Sequence, residues 1–166
     1  MSFINTLKRT DIFFDLLPTY LEMIAALCQE RSARAGEIVF EENTPGIELF
    51  VIVRGEVEIL VDPALVGGSP GRKPSGPVTI ATLRDGQTFG EISLVDQGLR
   101  SASARCATDN TKLLVIPREK LLSLCATSPE LGYRVMKNIA ADLAFKIRNS
   151  DLAIREQLFW RPRQAI

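Results

Sequence analysis

Between Gly36 and about Pro117 the chain keeps a side-chain period of two, and this restricts its fold more than any other feature. Val39 and Phe40, then Leu49 to Val53, then Val57, Ile59 and Val61 are β-branched or aromatic runs. Val78–Leu83, Ser101–Cys106 and Lys112–Ile116 continue the series, and glycines at 36, 46, 55, 86, 90 and 98 punctuate it. Short strands parted by such turn residues predict an antiparallel sandwich or barrel. Asn43-Thr44-Pro45-Gly46 and Val53-Arg54-Gly55-Glu56 have the chemistry of turns.

The flanks carry a helical period instead. Phe13, Phe14, Leu16 and Leu17 cluster near the start, and Pro18 suits the first turn of a helix. Leu21, Ile24, Ala25 and Cys28 then recur at spacings of three and four, so residues 1–35 are expected to be helical. At the other end a short helix is expected from Pro117 to Ala126. Ser128-Pro129 then supplies an N-cap and a first-turn proline for a long helix to about Trp160. Along it Met136, Ala140, Leu143, Ile147 and Ile154 fall at a/d-like spacings, which Ser150 interrupts. That face is either a dimer surface or a helix packed on its own sandwich. The expected organisation is an α+β fold. An N-terminal helical segment, 1–35, leads into a β-sandwich, 36–116. Hinge and lid helices, 117–160, and a tail, 161–166, complete it. Asp62 to Pro77, with prolines at 63, 70, 74 and 77, is expected to be a mobile surface loop. Its Gly68-Ser69-Pro70-Gly71-Arg72-Lys73 lacks the residue order of a nucleotide-binding phosphate loop.

Composition removes several classes of function. The chain has no histidine, which excludes Ser-His or Cys-His nucleophile pairs and His-based metal sites, including those of metal-holding cupin-type β-barrel enzymes. Cys28, Cys106 and Cys125 are far apart and form no CxxC pair, as expected for small buried side chains in a reducing compartment. The net charge is zero, which argues against a protein that coats nucleic acid. The balance is uneven: residues 1–60 hold five basic and ten acidic side chains, and 61–166 hold fifteen and ten. Anion-binding chemistry is therefore expected in the later part. The start lacks the regions of a signal peptide, and no apolar run approaches the ~18 residues of a membrane span. A soluble, cytoplasmic protein is expected.

The chemistry concentrates in Phe89-Gly90-Glu91-Ile92-Ser93-Leu94-Val95-Asp96-Gln97-Gly98-Leu99-Arg100-Ser101-Ala102-Ser103. A strand ends at a glycine, whose missing side chain allows close approach of a ligand. The next residues can make a helical turn whose free amides favour an anion. Arg100 follows among small residues, and a guanidinium suits bidentate contact with phosphate.

This segment resembles the phosphate-binding cassette of the cyclic nucleotide-binding domain family. That cassette reads Phe-Gly-Glu, two residues, Leu, five residues, then Arg-(Ala/Ser/Thr)-Ala. Phe89, Gly90, Glu91, Leu94, Arg100, Ser101 and Ala102 match it in identity and spacing. Ala35-Gly36-Glu37-Ile38-Val39-Phe40, Gly46 and Gly55-Glu56-Val57 match the family's glycine-marked strands, and the likeness covers roughly residues 10–160. The resemblance implies a jelly-roll sandwich that binds cAMP or cGMP as ligand, with no catalytic cofactor or metal. It makes Arg100 the phosphate partner, assisted by backbone amides around Ile92, Ser93 and Ala102. It makes Glu91 the acceptor for a ribose hydroxyl, and Gly90 the point of close approach. Ser101 would lie near phosphate and base, where its hydroxyl leaves cAMP and cGMP open. Val53, Val61, Leu83 and Phe89 are candidate pocket walls. Leu143, Phe145, Ile147, Phe159 and Trp160 are candidate lids over the base. The opposing reading is an internal Arg100–Glu91 ion pair in an interaction module that binds no nucleotide. No Walker loop or metal set suggests an enzyme, and the six residues after Trp160 leave no room for a DNA-binding domain, so a stand-alone sensor acting on an unidentified effector protein is expected.

Overall fold

The structure, a computed structural model, describes residues 3–63, 76–96 and 98–159. Among them eight strands follow in order: β1 (Gln29–Ala33), β2 (Ile38–Phe40), β3 (Glu48–Arg54), β4 (Val57–Val61), β5 (Val78–Leu83), β6 (Thr88–Phe89), β7 (Ser103–Cys106) and β8 (Thr111–Pro117). They form two antiparallel four-stranded sheets, ordered β1-β8-β3-β6 and β2-β7-β4-β5. This is the expected jelly-roll sandwich. The helices are α1 (Phe3–Leu7), α2 (Pro18–Ala25), α3 (Ile92–Asp96), α4 (Arg118–Thr127) and α5 (Pro129–Phe159), with a 3-10 turn at Asp11–Phe13.

The apolar runs of β3 and β8 are unbroken because both their faces are buried. Phe50 and Ile52 on β3, with Leu113 and Val115 on β8, point into the space between the sheets. There they meet Val57, Leu83, Phe89, Ala104 and Cys106. Leu49, Val51, Leu114 and Ile116 point the other way, against Leu7, Ile12, Phe13, Leu21 and Ile24 of the N-terminal segment. Leu121, Cys125, Leu131, Val135 and Ile139 of α4 and α5 close the same cluster, and Leu94 of α3 joins it. Each fully buried aliphatic side chain contributes about 1.5–3 kcal/mol. The sheet of β1, β8, β3 and β6 thus joins two cores.

The structure departs from expectation at the N-terminal border. The helical stretch ends at Ala25, and Gln29–Ala33 is a strand rather than helix. The stripe of apolar residues stops at Cys28, and the polar run beyond it gains its backbone partners from β8, pairing Gln29 with Val115 through Ala33 with Thr111. Residues 64–75 of the expected loop, and Trp160 with the tail 161–166, lie outside the described residues.

Candidate functional site

Strand β6 stops at Gly90, whose φ of +83° belongs to the left-handed region that glycine enters at no steric cost. The chain turns there into α3, so Gly90, Glu91, Ile92 and Ser93 follow one another around a single bend. The buried side chain of Ser93 donates its hydroxyl to the Gly90 carbonyl at 3.2 Å.

Arg100 returns to the same bend. The residue is 4% exposed, and its guanidinium carbon lies 4.1 Å from the centroid of Phe40, a cation–π contact. Phe40, Phe50 and Phe89 form the aromatic floor beneath it, with ring centroids 5.0–5.8 Å apart. Nη1 donates to the Gly90 carbonyl at 3.1 Å and to Ser93 Oγ at 3.0 Å, and Nη2 donates to the Glu48 carbonyl at 2.7 Å. Nε is buried and has no hydrogen-bond partner. Burial lowers the guanidinium's pKa, opposed by the Glu48 and Glu91 carboxylates. The Arg100 backbone is clamped as well. Its N–H donates to the Thr44 carbonyl and its own carbonyl accepts from Asn43 N–H, both at 2.8 Å. Gly46 closes the clamp, because a Cβ there would overlap the Ser93 side chain.

Glu91 is buried beside Arg100, but the two are not joined. Among the described residues the ion pair of Glu91 is with Lys146 of α5, Nζ to Oε1 2.8 Å. The internal Arg100–Glu91 pair considered from sequence is therefore absent: the arginine satisfies backbone carbonyls and the glutamate a lysine. Phe89 and Ala102 are buried, while Ile92 and Ser101 are exposed.

The expected pocket walls divide. Leu83 and Phe89 line the inter-sheet core, but Val53 packs on the helical side with Leu49 and Val51, in keeping with strand alternation. Val61 is half-buried. Of the expected lids, Leu143 packs against the helical core, and Phe145, Ile147 and Phe159 are exposed. The α5 side chain that meets Glu91 is Lys146, which sequence reasoning missed. The available signal was Asp142, four residues earlier, which marks an acid–base pair on one helix face.

A second link runs from the cassette to α4. Arg118, the first residue of α4, donates from Nε to the Ser93 carbonyl at 2.9 Å, and its backbone N–H bonds the Ile47 carbonyl at 2.9 Å. Elsewhere, burial pushes the Cys28 thiol up to about 12 and raises those of Cys106 and Cys125. Among the described residues no cluster of three or more His, Cys, Asp or Glu side chains is placed to hold a metal. None of the described helices is long and apolar enough to cross a membrane.

A buried arginine with an unpartnered N–H, next to a buried carboxylate on a glycine-led bend, is equipped to take an anion and a hydroxyl together. Comparison with known proteins shows the family of the chain. The family model for the cyclic nucleotide-binding domain matches residues 30–128. The cyclic AMP receptor protein of Thermus thermophilus is 32% identical over 148 residues, covering 89% of this chain and 62% of the receptor. A CRP-like cAMP-activated global transcriptional regulator of Mycobacterium tuberculosis is 29% identical, covering 89% of this chain and 60% of the regulator. The chain thus spans about three fifths of the length of these curated relatives. The crystal structure of a cyclic nucleotide-binding domain from Methylobacillus flagellatus superposes with a TM-score of 0.77 at 26% identity, over 94% of this chain and 82% of that one. The chain, with its jelly roll, belongs to the cyclic nucleotide-binding domain family.

Proposed function

We propose that the chain is a cytoplasmic sensor of a cyclic mononucleotide, cAMP or cGMP, and that binding shifts α4 and α5 to regulate a separate protein. The observation that carries this reading is the Arg100 guanidinium, buried yet with Nε unpartnered. An exocyclic phosphate oxygen is the acceptor it lacks, and the amides around Ile92, Ser93 and Ala102 add donors nearby. Gly90 allows the approach, Phe89 supports the site from below, and Glu91 accepts from the ribose. Exposed Ser101 is left to face the phosphate or base. No step in this role needs a catalytic group or a metal. The ligand's greater affinity for one helix arrangement supplies the switching free energy.

The exposed apolar residues of α5 are the proposed output surface. Phe145, Leu152 and Phe159 recur every seven residues, as do Ile147 and Ile154. Contact with a second copy of the chain or with the effector would cover them. Nucleic acid is not required as a partner, although the Mycobacterium tuberculosis relative is a transcriptional regulator.

Calorimetric titration with cAMP, cGMP and cyclic dinucleotides tests the reading. Saturable binding of a mononucleotide is expected, with a stabilisation of ~2.7 kcal/mol at a hundredfold excess over Kd. Arg100→Leu should weaken it by about a hundredfold, the loss of two charge-assisted hydrogen bonds. Melting of that variant without ligand checks that it folds. A second reading is favoured by the way Arg100 and Glu91 already satisfy protein groups. It makes the chain a nucleotide-independent interaction module, and it prevails if no cyclic nucleotide binds.

A further inference from the structure

Lys146 lies midway along α5, far from Glu91 in sequence, yet its ammonium meets that carboxylate at 2.8 Å and the Thr88 carbonyl at 3.3 Å. Asp142, one turn earlier on the same helix, stands 2.8 Å from the same nitrogen. The three side chains are withdrawn from water: Glu91 is 5%, Asp142 11% and Lys146 33% exposed. Burial lowers the pKa of the ammonium, but the two carboxylates outweigh this and the net direction is upward, so the lysine is charged at neutral pH. A buried and a half-buried carboxylate thus share one cation, at the residue that the sensor reading assigns to the ribose.

We infer that Lys146 is a competitive latch: without nucleotide, its ammonium takes the acceptor on Glu91 that a ribose hydroxyl would need, and so holds α5 on the cassette. The proposal rests on the sensor reading and adds what keeps the site shut. Asp142 makes the exchange feasible. When a hydroxyl donates to Glu91 and displaces the ammonium, Lys146 retains the charge of Asp142, its i,i+4 partner, and Glu91 keeps a hydrogen-bond donor. Nucleotide entry and the seated position of α5 are therefore alternatives at one carboxylate, which couples occupancy to helix position.

Two substitutions move affinity in opposite directions under this scheme. Lys146→Met keeps the length of the side chain and removes the competitor, so cAMP or cGMP should bind about tenfold tighter, as when one charged hydrogen bond no longer has to be exchanged. Asp142→Asn removes the resting partner of Lys146 and should weaken binding by about tenfold. Thermal melting establishes that both variants fold. Hydrogen exchange without nucleotide is the second readout, with faster exchange expected at residues 142–150 in Lys146→Met. If the wild type binds nucleotide but Lys146→Met binds equally or more weakly, the latch is overturned and the sensor reading stands. Unchanged exchange at 142–150 in that variant also overturns the latch. If neither wild type nor Lys146→Met binds any cyclic nucleotide, it is the sensor reading that fails.

Discussion

Two glycines hold the cassette to its shape because their neighbours leave no room for a side chain. A Cβ on Gly90 would lie 2.5 Å from Arg100 Nη1 and 3.2 Å from the Glu48 carbonyl, on a backbone already at φ +83°. Gly90→Ala should therefore cost about 1–2 kcal/mol for the left-handed backbone alone. A melting temperature lower by roughly 2–8 °C would register that loss. Nucleotide affinity should fall further, since Arg100 must move. An unchanged melting temperature would contradict the close approach. These residues were legible in the sequence because a glycine requirement and an arginine at fixed spacing are local facts. Lys146 was not, since a lysine on a solvated helix face looks the same whether or not a buried carboxylate waits opposite.

Among the elements, α3 and α4 are tied by one side chain. Arg118 holds the Ser93 carbonyl, and Ser93 in turn bonds Gly90 and Arg100, so the cassette and the first turn of α4 share a continuous set of hydrogen bonds. Leu94 and Leu121 add contact through the same apolar core. Arg118→Met keeps most of the side chain's apolar stem and removes the bond. Nucleotide affinity should drop about three- to tenfold, the share of one hydrogen bond to a charged group. The change that nucleotide produces in the hydrogen exchange of α5 should shrink with it. Preserved coupling in that variant would place the transmission elsewhere. Strand periodicity and the Ser128-Pro129 start of α5 were readable from residues alone. The strand β1 was not: its Gln-Glu-Arg-Ser-Ala run has no alternation of its own and is extended because β8 offers a ladder.

For the whole molecule, α5 is the element that joins the N-terminal segment, α4 and the cassette. Asn138 donates to the carbonyls of Phe14, at 2.8 Å, and Ile12, and Arg134 donates to that of Asp15, so the N-terminal segment rides on this helix. Lys146 ties it to the cassette, and α4 packs against its first turns. A shift in α5 would carry the N-terminal segment with it. Beyond Leu143 the helix runs on with Phe145, Ile147, Leu152, Ile154 and Phe159 exposed. A second copy is the expected cover, because heptad-spaced apolar residues suit a helix–helix seam. Sedimentation should give a dimer, and Ile147→Glu combined with Ile154→Glu should give a monomer with its melting transition retained. A monomeric wild type would turn that surface toward the effector.

The fold class was set by the sequence alone, because side-chain period and glycine conformation act over a few residues. Tertiary structure decided which charges meet. Arg100 turned to backbone carbonyls rather than to Glu91, and Glu91 found a lysine on the last helix, 55 residues later in the chain. Burial makes each of those charges seek the nearest available partner, and which partner is nearest depends on how the last helix packs.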